Sequence, residues 1–296
     1  MKGLIIINPY KFPQNCLYQA ERLSQEFAKK GIQAEIITSG YVYSFIQNNT
    51  FENKLEGVSF VIYLDKDKYL SAMIENVGVR LFNSHSAIRV CDDKGETNIA
   101  LTGKGVNLPD TIFAPLCYNS AIEMPQDFLP FVEKQLGYPL VVKESYGSLG
   151  RGVYKADNFT ELCEVCHKLK TSPHIYQKYL GKKPGYDIRV IVIGGRAIVA
   201  MERENPQDFR SNIALGGKGT AIDINAEEFA EYKHTAEKVA KILGLDYCGV
   251  DLLVGDNDLP YVCEVNSNAF FKEIEKVSGT NVAKIYAEYI LSELKK

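Results

Sequence analysis

The chain has 296 residues, 46% hydrophobic and 24% charged, which suits a folded globular protein with room for two or more packed units. Its 34 basic and 37 acidic residues leave a net charge of −3, so neither sign points to nucleic acid or a membrane surface as a partner. No apolar stretch approaches a membrane span, the run at 4–7 is too short for a signal-peptide core, and seven scattered cysteines favour a reduced, cytoplasmic setting.

Residues 1–90 alternate strand and helix signals. The run at 4–7 reads as a strand. Leu17, Ala20, Leu23, Phe27 and Ala28 make a helical stripe that Gly31 closes as a C-cap. Strands follow at 34–37, 58–64 and 79–82, with a short helix through Met73 before the last. This is βαβ patterning and predicts a parallel sheet in an α/β unit. No G-x-G-x-x-G follows the first strand, so a dinucleotide fingerprint is missing.

Residues 91–180 open with a helix around 93–102 and a short extended run from Thr111. A helix at 128–136 comes next, then a strand pair at 138–145 and 152–155, a helix at 158–169 and a strand at 174–180. Within that last helix, Cys163, Cys166 and His167 match the C-x-x-C-H haem-attachment pattern. The apolar spacing of Phe159, Leu162, Val165/Cys166 and Leu169 favours an amphipathic helix with a core cysteine, and no second Cys or His pair stands nearby to complete a zinc site. Residues 181–296 predict strands at 186–193 and 196–203, a helix at 226–243, a hairpin over 247–266 and a closing helix from Asn281.

The hairpin carries the chemistry. Its flanks, YCGVDLLV at 247–254 and LPYVCEVN at 259–266, enclose the polar loop Gly255–Asp258. Alternation puts Glu264 and Asn266 on one face, and Asp251 can join them from the partner strand. Two carboxylates and an amide oxygen suit a hard cation such as Mg²⁺, whose remaining positions go to substrate phosphates. The competing reading is solvated surface, weakened by the apolar runs in which these residues are embedded.

Upstream, Gly147, Gly150 and Gly152 make a turn whose N–H groups can approach phosphate, or a plain glycine-rich hairpin. Lys143 ends the apolar strand before it, as a phosphate ligand or a snorkelling edge residue. Arg189 alternates with apolar residues in DIRVIVI at 187–193, and Arg210 lies in the polar stretch FRSN at 209–212.

The order of these features resembles the ATP-grasp superfamily, most closely its RimK-type amino-acid ligases, from about Cys91 to the C-terminus. The matching stretches are DIRV at 187–190, MER at 201–203, DFRSN at 208–212 with Gly216 and Gly217, GVD at 249–251, EVN at 264–266 and IEKVSGT at 274–280. The resemblance implies an ATP-grasp fold combining α/β and α+β parts. Residues 1–90 would be a Rossmann-like pre-ATP-grasp domain, 91–180 the central lid subdomain, and 181–296 the C-terminal subdomain with the Mg/ATP site.

It further implies ATP and Mg²⁺ as cofactors, with Mn²⁺ as a substitute. Lys94 and Lys143 would contact phosphates under the loop of Gly147, Gly150 and Gly152. Gln177 would meet the adenine edge, with the backbone of Lys178, Tyr179 and Leu180 completing a hinge, and Asp187 would bind ribose. Asp251, Glu264 and Asn266 would hold the metal. Arg189 and Arg210, near Ser211 and Asn212, would face the transferred phosphate and the acyl group, with Lys143 also catalytic.

The implied activity is amide formation through an acyl phosphate, between an amino acid and a carboxylate of a small molecule, peptide or protein tail; a homo-oligomer stays open. A peptide-macrocyclising ligase and a non-catalytic ATP-binding regulatory module are the alternatives. Two departures matter: Lys178 stands where RimK-type enzymes often have Glu, and SNAFFKE at 267–273 replaces their small residue and Pro. The second is closer to ligases acting on carrier-protein carboxylates in lysine biosynthesis, so the substrate does not transfer from RimK.

Overall fold

The computed structural model describes residues 1–10, 14–256 and 258–296; the tip of the predicted hairpin loop, Asn257, lies outside them. Along the described residues three sheets of four or five strands succeed one another, beside a separate two-stranded hairpin. The first is built from β1 (Lys2–Ile7), α1 (Gln14–Ala28), β2 (Gln33–Thr38), a small hairpin of β3 (Phe45–Gln47) and β4 (Thr50–Glu52), then β5 (Phe60–Tyr63), α2 (Lys68–Asn76) and β6 (Arg80–Phe82). Its order is β2-β1-β5-β6, parallel throughout. Leu4, Ile5, Ile6 and Ile7 are all buried, as expected for a strand covered on both faces. The helical stripe packs through Ala20, Leu23 and Phe27, with Cys16 in the core where the sequence pattern predicts Leu17 and with Ala28 exposed.

Two helices follow: α3 (His85–Asp92), which the sequence pattern does not predict, and α4 (Lys94–Leu101). Asp93 caps α4 by accepting from the N–H groups of Gly95 and Glu96, so the chain turns sharply between them and Lys94 opens the second helix. The second sheet comprises β7 (Thr111–Phe113), β8 (Leu140–Glu144), β9 (Val153–Ala156) and β10 (His174–Lys178) in the order β7-β10-β8-β9, antiparallel. Helices α5 (Phe128–Leu136) and α6 (Phe159–Leu169) pack on it through Val132, Leu136, Leu162, Cys166 and Leu169. Cys166 thus sits in the core, in contact with the Tyr176 hydroxyl at 3.3 Å, while His167 on the same helix is exposed.

The third sheet holds the site. It contains β11 (Tyr186–Ile193), β12 (Arg196–Glu204), β13 (Lys218–Ile222), β14 (Tyr247–Val254) and β15 (Pro260–Asn266), in the order β13-β12-β11-β14-β15, antiparallel. Helix α7 (Ala230–Ile242) lies between β13 and β14 in sequence; α8 (Lys272–Ser278) and α9 (Val282–Glu293) close the chain. Neither β13 nor α8 is anticipated from the sequence.

One face of this sheet (Ile188, Val190, Val192, Cys248, Val250) packs on Ala236, Val239 and Ala240 of α7. The opposite face is divided. At one end Ile191, Ile193, Met201 and Tyr247 share a core with Leu23 and Phe27 of α1 and Tyr286 and Ile290 of α9. Burying each such aliphatic or aromatic side chain contributes about 2 kcal/mol, so this end anchors the third sheet to α1 and α9. At the other end the same strands carry Asp187, Arg189, Arg203 and Asp251, which line clefts. Period-two alternation therefore delivers both the anchor and the polar floor from one set of strands.

Candidate active site

Register brings the charged residues together. Asp187 lies opposite Arg203 across β11 and β12, and Arg189 lies opposite Asp251 across β11 and β14. Asp251 in turn faces Glu264 and Gly249 faces Asn266 across β14 and β15, with a bulge just after Asp251. Bulges re-aim side chains, and this one separates the polar pair from the regular ladder beyond it.

The result is a buried alternation of acid and base. Arg203, only 2% exposed, holds both oxygens of Asp187 and donates from Nη2 to Oδ2 of Asp251 at 2.9 Å. Arg189 grips the same Asp251 carboxylate through Nε (2.7 Å) and Nη2 (2.6 Å). Burial alone would push the Asp251 carboxyl up, but the two guanidiniums overcome it and hold it below the ordinary carboxylate range. Arg203 is visible in the sequence only as part of a matching stretch, with no role attached; its signal is an arginine two positions from Met201 on an otherwise apolar strand face.

Glu264 is more open. Its Oε1 lies 3.5 Å from the Lys94 ammonium, which also donates to the Gly147 carbonyl at 3.2 Å. Lys94 thus ties the glycine loop to the acidic floor. Lys143, buried on β8, has the Cys263 sulfur at 3.8 Å and no carboxylate in ion-pair range among the described residues. A buried ammonium left without a counter-ion is suited to receive an anion entering the cleft.

Asn266 makes no side-chain hydrogen bond among the described residues, and its amide nitrogen is buried. No group of three or more His, Cys, Asp or Glu side chains is placed to hold a metal among those residues. The set Asp251, Glu264 and Asn266 offers two carboxylates and one orphaned carboxamide instead. It fits a cation that draws its other ligands from phosphates and water, since each carboxylate oxygen can accept more than one partner.

The roof is the turn between β8 and β9. Gly150 and Gly152 have φ of 74° and 69°, in the left-handed region that disfavours a side chain. A Cβ on Gly150 would also come within 2.9 Å of Asn212 Oδ1. Arg210 donates to the Gly150 carbonyl at 2.8 Å and is itself held by Asp208 through Nε (3.0 Å) and Nη2 (2.7 Å). In this arrangement Arg210 clamps the roof rather than standing free in the cleft. Ser211 and Asn212 follow it on the cleft wall.

At the far end, Gln177 is 2% exposed; its Nε2 donates to Thr111 Oγ1 at 3.0 Å and to Asn98 Oδ1 at 3.4 Å, leaving Oε1 buried and without a partner. An acceptor held this way matches an amino group such as that on adenine. Thr111 and Asn98, which orient the amide, carry no signal in the sequence because their contact depends on α4 packing near β10. The Lys178 N–H is already donated to Asp110, so the hinge groups left to a ligand come from Tyr179 and Leu180. Asp187 lines the same cleft with both oxygens engaged by Arg203, so a ribose hydroxyl would share the carboxylate with that guanidinium.

The chain is 35% identical over 234 residues to human N-acetylaspartylglutamate synthase A, covering 78% of itself and 57% of that relative. It thus spans a little over half the length of the N-acetylaspartylglutamate and β-citrylglutamate synthases it matches. It is 29% identical over 294 residues to a probable alpha-L-glutamate ligase of Psychromonas ingrahamii, covering 94% of itself and 93% of that protein. The fold superposes on D-alanine–D-alanine ligase from Bacillus anthracis in complex with ATP, with a TM-score of 0.75 at 18% identity, covering 100% and 99% of the two chains. The fold is therefore the ATP-grasp fold. Because the model of the RimK-like ATP-grasp domain matches residues 92–290, most of the length, the chain belongs to the RimK-like ATP-grasp family.

Proposed function

We propose that this protein is an ATP- and Mg²⁺-dependent carboxylate–amine ligase. It would join an amino acid to a small molecule, peptide or protein tail, releasing ADP and phosphate. The observation that carries the reading is the register-built floor of Asp251, Glu264 and Asn266 beneath a glycine roof, with Lys143 unpaired beside it. The relatives, probable alpha-L-glutamate ligases and N-acetylaspartylglutamate synthases, support the same reaction class.

A carboxylate is a poor acyl donor. Transfer of the ATP γ-phosphoryl group makes an acyl phosphate, and an amine then displaces phosphate to form the amide. Phosphoryl transfer needs positioning and charge neutralisation more than covalent help. Lys143 and Lys94 would neutralise phosphate oxygens, and Gln177 would orient the adenine. Arg203 holds Asp251 and Asp187 in place, and Arg189 would face the acyl group. Bound Mg²⁺, held by Asp251, Glu264 and Asn266, would supply further neutralisation of phosphate charge. The roof clamped by Arg210 would exclude water, which would otherwise hydrolyse the acyl phosphate.

All seven cysteines are free, which accords with a reducing compartment where ATP is abundant. Among the described residues no helix is long and apolar enough to cross a membrane.

ADP release from Mg-ATP, with and without pooled amino acids, peptides and carboxylates, tests the reading. Release that requires an added carboxylate or amine and vanishes in Asp251→Ala is expected. Tight ATP binding with no release under any addition would favour a regulatory module instead.

A further inference from the structure

The first sheet contributes a wall of the substrate cleft that the ligase reading does not use. In the order β2-β1-β5-β6 the chain leaves β1 toward one edge and returns to β5 on the other side. The gap between β1 and β5 is thus the topological switch point, and ligands of open parallel sheets bind outside the carboxyl ends of the strands at such a point. Asn8 directly follows β1, and Asp65 follows β5 by two residues. Both line a cleft that reaches Arg189, Glu264 and Asn266 on the third sheet.

Asp65 is half-buried and held by neutral donors. Asn8 Nδ2 lies 3.2 and 3.1 Å from its two oxygens, the Lys66 N–H donates at 2.8 Å and Ser39 Oγ lies at 3.4 Å. Asn8 is fixed in turn, because its Oδ1 accepts the Tyr10 N–H at 3.0 Å. The adjacent Lys66 ammonium turns away to Asp92. Among the described residues no Lys, Arg or His pairs with Asp65, whereas the other carboxylates lining this cleft, Glu264 and Glu273, face Lys94 and Lys276. A carboxylate oriented by several hydrogen bonds, partly desolvated and lacking a counter-ion is arranged to receive one.

We infer that Asp65, positioned by Asn8, is a recognition subsite for a primary ammonium group on a substrate of this enzyme. The inference rests on the ligase reading only for which reaction the substrate enters. Two sources share the chemistry: an ammonium elsewhere on the molecule that donates the acyl group, or the amino group of the incoming amine before it loses its proton.

The test is equilibrium binding of the standard α-amino acids and their Nα-acetyl forms to the protein with and without Mg-ADP, for wild type, Asp65→Asn and Asn8→Ala. The expected result is a wild-type preference of at least about tenfold for a free ammonium form, abolished by Asp65→Asn and reduced by Asn8→Ala, with Mg-ADP affinity unmoved. Equal wild-type affinity for free and acetylated forms, or a preference that survives Asp65→Asn, overturns the subsite. Should Asp65→Asn fail to fold, the wild-type comparison and Asn8→Ala still decide. A wild type that shows the Asp65-dependent ammonium preference yet does not bind Mg-ADP would count against the ligase reading and for the subsite. Incubating the preferred amino acid with Mg-ATP and hydroxylamine separates the sources. A hydroxamate that retains the amino group assigns the ammonium to the acyl donor; Asp65-dependent binding without hydroxamate assigns it to the amine.

Discussion

Arg189 donates to both oxygens of Asp251, at 2.7 and 2.6 Å, and the two residues are direct cross-strand partners on β11 and β14. The carboxylate at the centre of the candidate cation site is therefore aimed by neighbouring strands. Arg203, reaching it from β12 at 2.9 Å, completes the support. A fully buried carboxylate so arranged depends on its guanidiniums, and a change at either partner should be felt both in stability and in nucleotide handling.

Replacing Arg203 by Met would leave Asp187 without its guanidinium and strip one of the two from Asp251. Breaking a buried ion pair from one side costs about 3–5 kcal/mol, so the urea midpoint should fall sharply. Arg203→Lys should recover only part of the loss, because an ammonium cannot serve Asp187 in the two-pronged manner. A midpoint unchanged by Arg203→Met would show that the acid–base ladder contributes little to the fold.

Acid should loosen the same region. Burial raises the Asp251 carboxyl, Arg189 and Arg203 more than reverse this, and the folded value lies below the ordinary 3.8. Arg210 likewise holds Asp208 below 3.8, against burial. A depressed folded value stabilises above the unfolded one, and that stability is lost as pH falls through the folded one. Glu26, held down to about 2 chiefly by Lys29 and also by Asn281 and Arg22, adds a loss that begins near its ordinary 4.5. Stability measured by urea unfolding should thus decline from pH 4.5 downward; a flat profile to pH 2 would contradict these ion pairs.

Gln177→Leu keeps the volume of the side chain proposed to face adenine and removes its buried acceptor. ATP affinity should fall by about tenfold, the worth of one hydrogen bond in a desolvated site, with maximal ADP release nearly unchanged. Calorimetric titration with ATP and steady-state kinetics together check the split. A lowered maximal rate at unchanged affinity would move Gln177 from binding to chemistry.

Gly150→Ala places a side chain on a residue with φ of 74° and within 2.9 Å of Asn212 Oδ1. The fold should survive, since the turn joins only the edge strand β9 to β8, but the roof should no longer close. ADP release uncoupled from amide formation should rise relative to product, because water reaches the acyl phosphate. A product-to-ADP ratio equal to wild type would show that the turn has no role in excluding water.

Mg-ATP at about 100 times its dissociation constant should stabilise the folded protein by about 2.7 kcal/mol, seen as a rise in melting temperature. Glu264→Gln should abolish the part of that rise that requires Mg²⁺, since it removes one of two carboxylates from the candidate cation site. If Mg²⁺ adds nothing to ATP stabilisation in wild type, the metal assignment to Asp251, Glu264 and Asn266 fails.

Much of this protein is local in origin and so legible in its sequence. Alternation along 259–266 dictates that Glu264 and Asn266 share a face, whereas the bulge beside Asp251, not periodicity, sets Asp251 opposite Glu264. The glycines at 147, 150 and 152 mark a turn because left-handed backbone is costly for other residues, and Asp93 marks a helix start through its cap. The strand–helix alternation that builds the first, parallel sheet is likewise visible as periodicity.

What the sequence could not show depends on register and on packing between distant segments. That Arg203 faces Asp187 is a matter of which residues pair across β11 and β12. That Arg210 clamps Gly150 follows from a contact 60 residues away along the chain. Asn8 and Asp65 are separated by 57 residues and meet because β1 and β5 lie side by side in the first sheet. The docking of α9 on α1, which places that sheet over the third, joins the two ends of the chain through a shared core. Side-chain alternation is set by the backbone at each residue, whereas cleft chemistry is set by which strands become neighbours, and only the burial of the whole chain decides that.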